Sequence, residues 1–489
     1  MKQGEDMKQS IKHQFHTANS LTSKQILNGI MILILSASLI VSPIMRVSAD
    51  TNTEGLQNLT YHLYLPITNR AGYVAYVSPQ GNDSNPGTIS LPWRTISKAI
   101  KTAEPGATIY IRGGTYHEKV SIYQSGLQDM PIRLIAFPGE NPIVDGENHL
   151  PDPGGALLNI FGDWVEITGL EVQNSSYYGV GLFGEHDTVS KVFAHHNQKI
   201  GIYISGDYGT VQDSRVWRNS LINEYGVSSS WSSGLVASRD SENGITEYPI
   251  IRRNVVWENW GQGINTHEAN QVIIEDNISH DNFTNNIYIH DETNVLCQRN
   301  FVYMDPSSYM HGYGENIGIM MGDERNIPSS NITIINNISF SNRVNYALFT
   351  GTNVINNILI ANNMFVNAVI TGGVLFKGNH QNVIFKNNII QQDGNLPLIM
   401  LTLAPDVTFS NNLWSKAPPP EAQGLGDIIG DPLLSRTGDL YSPEWFKLTS
   451  LSPAIDGAVS LPEVIVDYFG NIRGSIPDIG ANEFIFPIP

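Results

Sequence analysis

Ile251-Arg252-Arg253-Asn254, Glu275-Asp276-Asn277 and Gln298-Arg299-Asn300 are three passes of one pattern, each closing on an asparagine 23 residues after the last. Asn259 and Asn282 keep the same 23-residue step. Asn337, Asn363 and Asn388 follow at steps of 26 and 25, and Gly179–Glu185 matches Gly201–Asp207 at 22. A period of this size, built from short β-rich runs, is the signature of a solenoid. Leucine-rich repeats share the period but need recurrent leucines, whereas Ile, Val and Asn recur here; propeller blades run to about 40 residues. Residues 251–400 hold 28 asparagines. An amide both donates and accepts, so stacked copies can bond up and down a turn column. Asparagine also tolerates the left-handed backbone of a sharp corner. The geometry that fits is an all-β, right-handed parallel β-helix, one coil per repeat, with strands about 4.8 Å apart.

Working outward, Tyr73-Val74-Ala75-Tyr76-Val77 reads as a strand and Gly81-Asn82-Asp83-Ser84-Asn85-Pro86-Gly87 as a turn-rich loop. Ile96, Ala99, Ile100 and Ala103 then sit at helical spacing, and Pro105-Gly106 ends the helix. At the far N-terminus, Lys2, Lys8, Lys12 and Lys24 precede an apolar run from Ile26 to Val41, and Val47-Ser48-Ala49 supplies small residues before Asp50. That is a signal-peptide layout, so a secreted or cell-surface protein is expected. The competing reading is an uncleaved anchor, the one membrane contact the chain would then have. The organisation expected is a signal peptide at 1–49, a linker at 50–71, the β-helix with its N-terminal cap at 72–415, and a C-terminal segment at 416–489 packed on the last coils.

Composition narrows the function. A formal net charge of -18 argues against a nucleic-acid binder, which needs a basic surface. Any acidic substrate would need a cation or a local Arg, Lys or His cluster. The single Cys297 excludes a disulfide framework and a zinc site of several thiolates; in a strand-rich coil it is expected in the core. A monomer is expected.

The stretch Tyr76-Val77-Ser78-Pro79-Gln80-Gly81-Asn82-Asp83, the helix after it, and Ala107-Thr108-Ile109-Tyr110-Ile111-Arg112-Gly113-Gly114-Thr115-Tyr116 resemble the opening of secreted right-handed β-helix proteins of the pectate-lyase-like superfamily. The resemblance continues through the Asn-rich coils to about residue 415. The tail, with Ser452-Pro453-Ala454-Ile455-Asp456-Gly457, is similar to a C-terminal module of surface β-helix proteins. The resemblance implies that the short helix caps the open end of the coil stack and that the ligand is a polysaccharide. One fold hosts many reactions, so the chemistry has to come from the site.

Aligning Gly234–Arg239, Gly263–Glu268, Asn286–Asp291 and Gly318–Asp323 places Leu235, Ile264, Ile287 and Ile319 in one inward column. The outward columns read Val236, Asn265, Tyr288, Met320 and Ser238, His267, His290, Gly322, with Tyr203 and Ser205 one coil earlier. Arg239, Glu268, Asp291 and Asp323 follow where each strand enters its turn. His267, His290, Tyr288 and Arg239 are therefore the candidate catalytic residues. Asn265, Trp231, Tyr203 and Tyr313 are the candidate substrate contacts, the aromatics stacking on sugar rings. Glu268, Asp291 and Asp323 are the candidate ligands of a metal, and all-oxygen ligands favour Ca²⁺. Against this stands the plainer reading of a solvated polar ladder with acids at a turn. Two segments, from Asn219 to Asn254 and from Asn300 to Asn337, exceed the 23-residue coil and bring loops to this face.

A lyase removes the proton alpha to a uronate carboxylate and expels the glycosidic oxygen, which takes a base and a positive charge on the carboxylate. The resemblance implies a lysine base and calcium-binding aspartates, yet no lysine lies between Lys199 and Lys377. No Asp-Asp pair of the polygalacturonase kind and no Asp-Pro-His-Asp of the epimerase kind occurs. A polysaccharide lyase with a His, Tyr or Arg base is expected. A non-catalytic glycan-binding or adhesive surface protein is the alternative.

Overall fold

The computed structural model describes residues 72–486 except 153, 231, 240–243, 326, 352 and 404–405. The signal segment, the linker and Trp231 thus lie outside the described residues. Among the described residues, three parallel sheets of 15, 13 and 11 strands run the length of a β-solenoid; they are called sheets I, II and III. One coil shows the plan: Ile273–Glu275 lies in sheet I, Ile278–His280 in sheet II and Asn285–His290 in sheet III. Each strand pairs with its equivalents one coil before and one coil after. Among the described residues no helix is long and apolar enough to cross a membrane.

The asparagine column stands where the repeat places it, at the corner between sheets I and II. Asn254 donates its backbone N–H and its amide to Asn277 Oδ1, at 2.9 and 3.1 Å. Asn277 does the same to Asn300, and the ladder continues through Asn337, Asn363 and Asn388 to Asn412. The left-handed residue of each corner is not the ladder asparagine but the one before it: Arg253, Asp276, Arg299, Asn336, Asn362 and Asn387 all have φ near +55°. The division of labour is physical. One residue turns the chain, and the next spends its amide on the backbone groups the turn leaves open.

Inside, Leu235, Ile264, Ile287 and Ile319 are fully buried in one column. Such side chains stabilise the coil by about 1.5–3 kcal/mol each. Cys297 is buried in the same core, where burial pushes its thiol up to about 12. The helix Ile96–Lys101 covers the first coils with Ile96, Ala99 and Ile100. Thr95 caps it, and Glu118 accepts from the N–H groups of Ile96 and Ser97. Asp83 accepts from the N–H groups of Arg94 and Thr95, so its carboxylate belongs to this turn.

At the other end, Ile428–Ile429 pairs with Leu413–Trp414, and Ala422 joins the interior core. The tail beyond does more than cover that end. Leu434, Phe446, Leu448 and Ile479 form one cluster with Phe301, Ile338, Met364, Ile389 and Leu413, the first residues of five successive strands of sheet II. These apolar side chains face away from the solenoid core and need a cover. Buried Arg473 donates to Asn336 Oδ1 and to the Gly480 carbonyl, fixing the cover to the corner.

Candidate functional site

The outer face of sheet III carries the expected columns. Val236, Asn265, Tyr288 and Met320 are neighbours in register, and His267 pairs with His290 and then Gly322. In-register parallel strands bring the rings together. His267 and His290 stack at 4.9 Å between centroids, and Tyr288 stacks on His290 at 4.3 Å. Ser238 Oγ lies 3.0 Å from His267 Nδ1.

The expectation of a solvated patch is corrected. Tyr288 is 2%, His290 4% and Asn265 8% exposed. Glu324, Asp291 and the stacked rings themselves enclose Tyr288 and His290, and loops inserted between sheets II and III build a wall beside them. Leu221–Gly226 and Tyr309–Gly312 are short 3-10 turns, and Trp260, Phe283, Met310 and Leu221 pack into one apolar cluster beneath them. Tyr313 meets Trp260 edge-on at 5.5 Å and Tyr225 at 6.1 Å. Between this wall and the strands opens a cavity of about 440 Å³, lined by Tyr288, Tyr313, Thr284, Asn285, Glu315 and Glu324 among others. That volume suits a small-molecule or sugar-sized ligand.

Burial and neighbours set the electrostatics. Tyr288 donates its hydroxyl to Glu324 Oε1 at 2.6 Å, and burial together with that carboxylate pushes the phenol far up, so it keeps its proton. Burial pushes His267 down to about 3, with the neighbouring His290 and Arg325 adding to the effect and Asp291 opposing it. His267 is therefore a neutral imidazole. His290 Nδ1 lies 2.6 Å from Asp291 Oδ2. Burial works against the Asp291 carboxylate, but His290 and the N–H groups of Arg325 and Glu324 outweigh it and hold the group low. Glu292, wholly buried, accepts from Thr266 at 2.6 Å, and burial pushes its carboxyl well above the usual carboxylate range.

The three acids proposed as metal ligands are not solvated either, and they do not form a cage. Glu268 is 1% exposed and accepts from Arg325 at 2.7 Å. Its other oxygen is 3.6 Å from His267 Nδ1, too far for a hydrogen bond, so Ser238 is the partner of that nitrogen. Asp291 and Asp323 serve backbone N–H groups, the latter those of Gly351 and Asn353. Among the described residues no group of three or more acid, His or Cys side chains converges to hold an ion. The donor set as arranged does not fit calcium.

The other candidates scatter. Arg239 is turned to Asp207 and the Ser205 carbonyl, and Tyr203 packs against Phe183 and Tyr178. Sequence reasoning missed Glu315, Glu324, Thr284, Asn285 and Arg325. Thr284 stands directly before, and Asn285 opens, the strand Asn285–His290, where the preceding coil has Gly261 and Gln262. Glu324 and Arg325 lie in a turn whose length no repeat fixes.

A family model described as "Pel9A-like, right handed beta helix region" matches residues 75–282, which also gives the hand of the solenoid. Over that region the chain is similar to the pectate-lyase-like right-handed parallel β-helix proteins. It is 24% identical to pectate lyase L of Dickeya dadantii over 438 residues, 84% of this chain and 90% of that protein. It is 27% identical to pectate lyase PEL9 of Emericella nidulans over 287 residues, 55% of this chain and 67% of that one. Among solved structures, XylC in complex with xylose superposes with a TM-score of 0.57 at 12% identity, covering 84% of this chain and 98% of that one. A rhamnogalacturonan lyase does so with 0.52 at 15%, covering 78% and 97%. At these identities the structures share the fold. The matched region ends at 282, so His267 lies inside it and Tyr288 and His290 beyond it.

Proposed function

We propose that this protein is a polysaccharide lyase that cleaves a uronate-containing polysaccharide by β-elimination on the outer face of sheet III. The observation that carries the reading is the stacked Tyr288–His290–His267 series beside a sugar-sized cavity. With Asp291 accepting the Nδ1 proton, the Nε2 lone pair of His290 is the base. It takes the proton alpha to the carboxylate, the electron pair closes the new carbon–carbon double bond, and the glycosidic carbon–oxygen bond breaks. Tyr288 protonates the leaving oxygen. A phenolate beside Glu324 is disfavoured, so it recovers a proton from the imidazolium and resets the pair.

Arg325 gives one guanidinium nitrogen to Glu268 and, with half of its side chain exposed, keeps others for the substrate carboxylate; Arg239, more buried and bound to both Asp207 and the Ser205 carbonyl, is less able to do so. His267 stays neutral and packs the base in place. No step runs through a metal. The kinship with pectate lyases and the signal-like N-terminus support action outside the cell. The test is purified protein on pectate, alginate and glycosaminoglycans, read by the ultraviolet absorbance of unsaturated uronate ends. A polymer that is bound and left whole points to the glycan-binding alternative, for which Tyr225 and Tyr313 form an equally suitable wall.

A further inference from the structure

The cavity beside the reacting face is acidic. Glu315 and Glu324 line it, and among the described residues that line it none is a Lys, Arg or His. Arg325 follows Glu324 in the chain but is engaged with Glu268. Thr284 and Asn285 also line it, 7% and 4% exposed, and Thr284 Oγ1 and Asn285 Oδ1 are buried without a hydrogen-bond partner in the protein. A buried oxygen left without a donor is costly. Tyr313 adds a half-exposed ring at the rim.

The lining therefore asks for a ligand that brings hydroxyl donors and an apolar ring face, and it repels an anion. We propose that the cavity is a subsite for an uncharged sugar unit, so that the substrate is a mixed polymer in which a neutral pyranose adjoins the uronate, not a homopolymer of uronates. The inference rests on the lyase reading for the location of the uronate, over His290 and Arg325. A uronate placed in the cavity would set its carboxylate against Glu315 and Glu324 with no cation to compensate. A neutral pyranose would donate hydroxyls to Thr284, Asn285 and Glu315 and lay its ring against Tyr313.

Two measurements test this. On the His290→Gln variant, calorimetric titration compares hexasaccharides of polygalacturonate with those of polymers alternating uronate and neutral sugar, namely rhamnogalacturonan and hyaluronan. At least one alternating hexasaccharide should bind about tenfold more tightly than the homopolymer fragment at low salt. Glu315→Gln should narrow that difference by improving the homopolymer. Equal or tighter binding of the homopolymer, unchanged by Glu315→Gln, overturns the inference whether or not any polymer is cleaved. Cleavage rates of the wild type on the same polymers decide the lyase reading separately. If no polymer yields unsaturated ends, the lyase reading fails and the binding comparison still judges the subsite.

Discussion

His290 Nδ1 and Asp291 Oδ2 are 2.6 Å apart, adjacent in the chain, with Asp291 in the left-handed conformation at φ +53°. The tight turn folds the carboxylate back onto the imidazole that precedes it. The N–H groups of Glu324 and Arg325, contributed one coil later, lock the carboxylate in that position. The pair fixes both the ring orientation and the nitrogen left free for chemistry.

Asp291→Asn should lower kcat by about 10²–10⁴-fold, because an amide does not hold the tautomer. The loss should fall on kcat more than on KM. Steady-state kinetics with circular dichroism on the same sample separates this from unfolding, and a variant with wild-type kcat would remove Asp291 from the account.

Tyr288→Phe keeps the ring that stacks on His290 and deletes only the hydroxyl bonded to Glu324. Activity should fall by about 10²-fold or more, with the melting temperature changed by a few degrees at most. Retention of full activity would assign the proton donor elsewhere.

His267 gives a pH signature in stability. Its imidazole is held at about 3 in the folded protein against a reference of 6.5. Between those values the unfolded chain binds more protons, so this residue's contribution falls as the pH drops from about 6.5 towards 3, by up to about 1.4 kcal/mol per unit. Asp187, raised to about 8 by burial, works in the opposite sense, losing stability as pH rises. The comparison is therefore between wild type and His267→Gln. Urea unfolding from pH 4 to 7 should show wild type gaining on the variant as the pH rises; parallel curves would contradict the buried neutral imidazole.

The Asn254–Asn277–Asn300 ladder was legible because a column of identical residues at a constant step has one structural meaning, and the register of Tyr288, His267 and His290 followed from it. Their burial was not legible. It depends on Glu324 and Arg325, which come from a turn outside the period and close on Tyr288 and Glu268, whereas Trp260 and Phe283 keep the 23-residue step. The acids Glu268, Asp291 and Asp323 looked like a cluster because they share a repeat position, but each turns to a different local partner: Arg325, His290 and the backbone near Gly351. Arg239 was misleading for the same reason, since Asp207 one coil earlier claims it.

Asn277→Ala tests the ladder. Asn277 Oδ1 accepts two hydrogen bonds from Asn254, and its amide donates to Ile251 O and Asn300 Oδ1. Removing it strands several buried groups and should cost about 2–4 kcal/mol. Gln381→Ala, at an exposed strand position with ordinary backbone angles, should cost under about 0.5 kcal/mol. Equal costs in denaturant unfolding would contradict a structural role peculiar to the buried column.

The central claim is β-elimination by a base at His290 without a metal held by Glu268, Asp291 and Asp323. The most direct measurement is the ultraviolet absorbance of products formed from a uronate polymer by wild type and His290→Gln, each with and without a chelator. The account predicts rising absorbance from the wild type that the chelator leaves in place, and at least a hundredfold loss in His290→Gln. Products without unsaturated ends, or a His290→Gln variant as fast as the wild type, would contradict it.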